Sequence, residues 1–165
     1  MPDRYAHCTF CGARFPAGQP WPRRCAACGE TSYLNPKPVA VAVQPVGAGL
    51  LVIRRGIPPA YDRLALPGGY VDVGETWQQA AVRELSEEVG HRAPAAAVRL
   101  FDTLSAPDGT LLVFGVLPPV ARDDLPPPVT TGETLGWDVL EAPAELGFDL
   151  HTAVARRWFA EAGAR

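Results

Sequence analysis

Hydrophobic patterning divides the chain near residue 36. Residues 1 to about 36 carry almost no periodic apolar pattern, whereas from Pro38 onward apolar positions recur at strand and helix spacings. Val39, Val41 and Val43 alternate with small residues, and Leu50-Leu-Val-Ile53 follows Gly47-Ala-Gly49, which predicts two adjacent strands joined by a turn. Residues 76–89 read as a helix, with Thr76 able to cap its start and Gly90 where a terminating glycine belongs. Val82, Leu85 and Val89 share one face of that helix and would fix it against a core. Leu111 to Leu117 reads as a buried strand, and Pro118 to Thr131, with its proline runs, as a stiff surface loop. Leu150, Val154 and Trp158 lie four apart on a final amphipathic helix, with Asp149 as its N-cap. Strands before and after a central helix, then a closing helix, predict an α/β sandwich without internal repeats.

Composition narrows the class. The chain has 165 residues, 47% hydrophobic and 20% charged, enough to bury a core and too apolar for disorder throughout. A net charge of −3 gives no global positive field for nucleic acid. The basic side chains of the first stretch, Arg4, Arg14, Arg23 and Arg24, are too sparse to change that expectation. The polar start lacks an apolar leader region, and the longest apolar run, Val39 to Val43, stops at Gln44-Pro45, far short of a membrane span. The expectation is a cytoplasmic protein whose cysteines are not disulfide-bonded. Residues 1–36 would form one small domain and residues 37–165 the main one.

The four cysteines fall as Cys8-Thr-Phe-Cys11 and Cys25-Ala-Ala-Cys28, two Cys-x-x-Cys pairs thirteen residues apart. Each such turn aims two thiolates at one point, and two of them complete a tetrahedral Zn²⁺ site. Gly12 and Gly29 follow the pairs directly, where a tight turn needs a residue tolerating positive φ. Redox-active or disulfide cysteines are the alternative, disfavoured by the absent secretory signal. Four thiolates fill the coordination shell, so this metal would be structural, standing in for a core that so short a segment cannot build. His7, beside Cys8, reads as a surface residue.

A second concentration of chemistry runs from Gly68 to Gly90: a glycine-rich loop, a helix and a glycine stop. Glu84, Glu87 and Glu88 crowd about one and a half helical turns. Such carboxylates repel one another unless a cation sits among them, and a hard ion such as Mg²⁺ prefers oxygen ligands and commonly bridges to a substrate phosphate. Arg83, four residues before Glu87, could orient that carboxylate. A solvated acidic face paired with arginine is the plainer reading. The glycine loop, with its exposed backbone, tips the balance toward metal and phosphate.

Gly69, Glu75 and Arg83-Glu84-Leu85-Ser86-Glu87-Glu88-Val89-Gly90 resemble the Nudix box, G-x5-E-x7-R-E-U-x-E-E-x-G-U, at every fixed polar and glycine position. At the last position His91 replaces a bulky aliphatic residue. The resemblance implies the Nudix α/β/α sandwich preceded by a small zinc ribbon. It also implies hydrolysis of a nucleoside diphosphate linked to another group, with Mg²⁺ or Mn²⁺ held by Glu84, Glu87 and Glu88 and a loop carbonyl at Gly68 or Gly69. Glu75 would support the loop–helix junction. Glu133 is the candidate general base, by analogy with a family glutamate shortly before an aromatic strand, with an ordinary loop carboxylate as the alternative. The family expectation for assembly is a homodimer.

A ribbon before the box is similar to NADH pyrophosphatases and, more closely, to a shorter group including plant FAD and ADP-ribose pyrophosphatases. The segments Tyr33-Leu-Asn-Pro-Lys-Pro38, Leu66 to Glu75 and Leu146-Gly-Phe148 carry that likeness. NADH pyrophosphatases have a Ser-Gln-Pro-Trp stretch after the box, where this chain has Leu100-Phe-Asp-Thr-Leu-Ser-Ala-Pro107, which argues against NADH and NAD-capped RNA. Tyr70, Phe114 and Trp137 are candidate platforms for a small-molecule nucleotide, and Trp77 a packing residue. A nucleoside-triphosphate pyrophosphatase, a nucleotide-sensing domain without catalysis and a nucleic-acid module are the alternatives. Of these the sensor is disfavoured by the complete set of glutamates.

Overall fold

The computed structural model describes residues 5–163, so Arg4, counted above among the basic side chains, lies outside them. The chain forms two compact units, Met1–Pro36 and Lys37–Arg165. In the first, β1 (Arg23–Arg24) pairs antiparallel with β2 (Thr31–Ser32). Its hydrophobic core is Cys8, Phe15 and Cys25. Trp21 packs edge-on against Tyr5 and Phe15, and the Arg23 guanidinium lies 4.4 Å from the Trp21 ring centre.

The second unit has two sheets. One has the order β7 (Gly68–Tyr70), β3 (Lys37–Val43), β9 (Thr110–Val116), β8 (Arg99–Ser105), with β3 and β9 parallel. The other centres on β5 (Gly49–Arg55), which pairs with β10 (Thr134–Leu140), β4 (Pro45–Val46) and β6 (Leu64–Ala65), all antiparallel. The turn at Gly47-Ala48 joins β4 to β5, so β3 and β5, read from the sequence as adjacent, belong to different sheets. An unbroken apolar run buries a strand without naming its neighbour.

Helix α1 (Trp77–Val89) covers one face and α2 (Asp149–Ala162) the other, which makes an α/β/α sandwich. The alternation along the strands explains the two faces. Leu51 and Ile53 pack with Leu85 and Val89 of α1, while Leu50 and Val52 pack with Val154 and Ala155 of α2. On β3, Val41 and Val43 face α2, and Ala40 meets Ala80 and Ala81 of α1. The small residues between the valines therefore let a helix approach the strand closely. The N-cap of α2 is Phe148, not Asp149, which begins the helix. There its carboxylate still complements the positive end of the helix dipole.

His151, on the buried side of α2, packs against Phe114 and Phe148 and accepts the Leu66 N–H at Nδ1, 3.2 Å away. Burial, aided by the charge of Arg55, draws its pKa from 6.5 down to about 3. Between those values the unfolded chain takes up a proton that the folded chain refuses. This contribution to stability is complete above the upper value and is lost as pH falls toward the lower, at up to ~1.4 kcal/mol per pH unit. Urea unfolding compared between neutral and acidic pH should show His151→Asn losing less stability in acid than the parent. Parallel losses would remove the imidazole as the cause.

Candidate functional site

Local rules build the helix that carries the carboxylates. Thr76 accepts the Gln79 N–H while the Gln79 side chain accepts the Thr76 N–H, a complete capping box. Gly90 ends the helix in the left-handed conformation, φ 79°. Leu85 and Val89 are buried in the core, and Val82 and Trp77 pack at its margin. Glu84 and Glu88 are thereby turned inward, 8% and 5% exposed, and Glu87 outward.

Arg83 organises the cluster. Its guanidinium donates to Glu75 at 2.7 Å, Glu84 at 2.8 Å, Glu87 at 3.2 Å and the Tyr70 carbonyl at 2.9 Å. The pairing with Glu87 is the one anticipated from spacing; the ties to Glu75, Glu84 and the loop backbone extend it. Glu75 also accepts the Asp72 N–H, and the hydrogen bond from Arg83 holds its carboxyl below the usual carboxylate range. A fork shared among three carboxylates and a carbonyl is rigid and specific to arginine.

The inner carboxylates lie on the glycine loop. Gly68 N–H donates to Glu88 at 2.9 Å, and a Cβ at Gly69 would collide with the Glu84 carboxylate. Only a residue without a side chain lets the carboxylate reach that backbone. Burial pushes Glu88 up to about 8 against the pull of the Gly68 N–H, with the negative charge of Glu84 adding to the rise. Glu84 is also raised, by burial first, although Arg83 opposes it. Both helix carboxylates thus sit where negative charge is under-compensated, and their oxygens suit a hard divalent cation. Arg83 holds Glu84 and Glu87, and the Gly68 N–H holds Glu88.

Glu133 reaches the same neighbourhood from another element. Its charge raises the pKa of both Glu84 and Glu88. Its backbone is tied to the end of β5 by the Gly56 N–H at 2.7 Å, next to a bulge between Thr134 and Trp137. Bulges of this kind re-aim side chains at strand ends. Arg55 was not singled out by the sequence, where it is only the charged end of an apolar run. It donates to the Pro59 carbonyl at 2.8 Å, lies 5.1 Å from the Phe148 ring centre and lowers the pKa of Glu88 by its charge.

The three aromatic platforms separate. Phe114 is fully buried between the sheet and α2 and has no face for a ligand, so that expectation is corrected. Trp137 is 9% exposed, and its Nε1 donates to the Pro126 carbonyl at 3.1 Å, which pins the proline loop. Tyr70 is 56% exposed, beside the glycine loop, with Lys37 Nζ 6.0 Å from its ring centre. His91 is half-buried, and burial lowers its pKa.

In the first unit the four cysteine sulfurs all lie within 4.8 Å of one another. Among the described residues this is the one group of three or more His, Cys, Asp or Glu so tightly gathered. Sulfur separations of 3.8 Å (Cys8–Cys28) and 3.6 Å (Cys11–Cys25) agree with the ~3.8 Å edge of a tetrahedron built from Zn–S bonds of about 2.3 Å. Gly12 N–H returns to the Cys8 carbonyl and Gly29 N–H to that of Cys25, at φ of 75° and 79°. Backbone N–H groups of Cys11 and Phe10 bring the Cys8 thiol down to about 6. Cys28 is pulled down by the Glu30 N–H, but burial and the neighbouring sulfurs push it up to about 12. Once the first thiols ionise the last resists, and a bound cation relieves that repulsion. The quartet can hold a metal ion, and His7 lies exposed outside it.

Comparison with known proteins bears on both parts. The NAD-capped RNA hydrolase NudC of Deinococcus radiodurans is 27% identical over 143 residues, 84% of this chain but 45% of that protein. The ADP-ribose pyrophosphatase of Methanocaldococcus jannaschii is 40% identical over 58 residues, 35% of this chain and 34% of that one. The chain thus spans less than half the length of these curated relatives. The crystal structure of a NUDIX hydrolase from Nitrosomonas europaea superimposes with a TM-score of 0.71 at 26% identity, covering 94% of this chain and 90% of the other. The model of the NUDIX domain matches residues 36–162, which contain both sheets, both helices and the glycine-and-glutamate array, and the chain belongs to the NUDIX domain family.

Proposed function

We propose that the chain is a Mg²⁺- or Mn²⁺-dependent pyrophosphohydrolase acting on a nucleoside diphosphate linked to another moiety, with FAD or ADP-ribose favoured. The observation that carries this reading is the seating of two buried carboxylates, Glu84 and Glu88, directly on the Gly68–Gly69 backbone. Glu84, Glu87 and Glu88 would hold the divalent ions, with the Gly69 carbonyl as a further ligand. Bound there, such ions polarise a phosphoryl oxygen and bring the pKa of water toward neutrality. Arg83 keeps the ligand carboxylates in register with the loop through Glu75 and the Tyr70 carbonyl. Water attacks one phosphorus in line, the bridging P–O bond breaks, and the water proton passes to the Glu133 carboxylate, leaving two phosphorylated products. Tyr70 would stack the planar part of the nucleotide. In the first unit Cys8, Cys11, Cys25 and Cys28 would hold a structural Zn²⁺.

Incubation with Mg²⁺ and a panel of FAD, ADP-ribose, NADH, NAD-capped RNA and nucleoside triphosphates tests the reading. FAD should give FMN and AMP, and ADP-ribose should give AMP and ribose 5-phosphate, both stopped by EDTA. The NudC likeness makes the NAD arms informative, but this chain lacks the Ser-Gln-Pro-Trp stretch that NADH pyrophosphatases carry. Exclusive turnover of triphosphates would move the chain to the class of the putative 8-oxo-dGTP diphosphatase of Bacillus subtilis, 39% identical over 67 residues. Glu133→Gln should lower kcat by about 10²–10⁴-fold, the range of general-base catalysis, with substrate KM little changed. A loss of only a few-fold would return Glu133 to the status of a loop carboxylate.

A further inference from the structure

We propose that His151 is a positioning residue, which sets the glycine loop from the opposite side of the sheet; its catalytic consequence rests on the pyrophosphohydrolase reading. The loop lies where the chain leaves one sheet for the other. Ala65 still pairs with Ile53 of β5, and Gly68 already pairs with Val41 of β3, so Leu66 and Pro67 fall between two ladders. Pro67 has no N–H, and its carbonyl accepts the Ala42 N–H at 2.8 Å. Leu66 is 1% exposed, and no strand neighbour takes its N–H. That donor would be a buried orphan but for Nδ1 of His151. The crossing is therefore held at three points: Ala42 on β3, Glu88 on α1 and His151 on α2.

The residue type at position 151 fits this task. The imidazole is 6% exposed, set against Phe114 and Phe148, with Arg55 as the charge that acts on it. A leucine would suit such surroundings without the cost of burying a polar ring. Only an acceptor serves the Leu66 N–H, and the imidazole accepts at Nδ1 when its proton is on Nε2. Gly68, whose N–H fixes Glu88, follows this anchor by two positions, and Gly69, on which Glu84 rests, by three. Releasing Leu66 frees the backbone that both carboxylates touch.

The test uses the whole chain with His151→Leu, which removes the acceptor, and His151→Asn, whose side-chain carbonyl can take the place of Nδ1. In the metal-free parent, NMR should reveal a scalar coupling between the Leu66 amide nitrogen and Nδ1 of His151; its absence would overturn the proposal even if His151→Leu does not fold. Mn²⁺ affinity, followed by electron paramagnetic resonance, should fall about 10–100-fold in His151→Leu, as for outer partners of metal ligands, and return toward the parent in His151→Asn. This readout needs no turnover, so it separates failure of the anchor from failure of the pyrophosphohydrolase reading. Where the parent hydrolyses substrate, kcat should follow the same order while substrate KM stays within about three-fold. Equal losses in both variants at matched thermal stability would show that only packing is at stake, and a folded His151→Leu with parental Mn²⁺ affinity would dismiss the role.

Discussion

Glu88→Gln should remove nearly all hydrolysis and leave the fold as stable as the parent or more so. Two features of the site point the same way. The carboxylate is 5% exposed, and burial together with Glu84 disfavours its charge, so replacing it by a neutral amide relieves an electrostatic cost of folding. The Gln side-chain carbonyl can still accept the Gly68 N–H, so the loop keeps its tie to α1. What the substitution takes away is the negative charge that would hold a divalent ion, and ion-assisted charge stabilisation is worth several kcal/mol, or on the order of 10³ in rate. Turnover at saturating Mg²⁺, compared with thermal melting of the same preparation, checks both halves. Near-parental turnover would remove Glu88 from the ligand set. A collapse of the fold would mean that the charge itself is structural.

Cys8→Ser should release zinc from the first unit and unfold it, while the second unit keeps its structure. The hydrophobic core of residues 5–36 is Cys8, Phe15 and Cys25, so two of its three members belong to the quartet. A core of that size cannot offset the conformational entropy of the segment. Apparent binding energies for structural Zn²⁺ run to about 10–16 kcal/mol, which makes the metal the dominant stabiliser if it is present. Metal content by plasma emission spectrometry should approach one zinc per chain in the parent and near none in the variant. Amide signals of the first unit should collapse in the variant while those of residues 37–163 persist. A zinc-free parent whose first unit is folded would contradict the tetrathiolate site.

Features set by short-range chemistry were legible in the sequence. The bounds of α1 follow from Thr76 and Gly90, and the pairing of cysteines around two turns follows from their spacing. Sheet membership was not legible. Val39 to Val43 and Leu50 to Ile53 are both two-sided runs, and nothing local says that the chain changes sheets between them. Residue type alone also misled at Phe114, where an aromatic ring fills core and offers no platform. The Arg83 hub was half visible: spacing shows Glu87 within reach, but Glu75 and the Tyr70 carbonyl arrive through the fold of the loop. His151 left a trace. It stands three, four and seven residues before Val154, Ala155 and Trp158, which puts a polar ring on the apolar face of the last helix. Its partner, Leu66, comes from a distant crossing between sheets that no periodicity announces.

Water activated over the Glu84–Glu87–Glu88 array should cleave a diphosphate bridge. Hydrolysis of ADP-ribose in ¹⁸O-labelled water with Mg²⁺, followed by mass spectrometry of the products, tests it most directly. AMP and ribose 5-phosphate are expected, with a single heavy oxygen in one of the two, and no products from Glu88→Gln. A folded, metal-replete parent that leaves ADP-ribose and FAD intact, or cleaves them without taking up label, would contradict it.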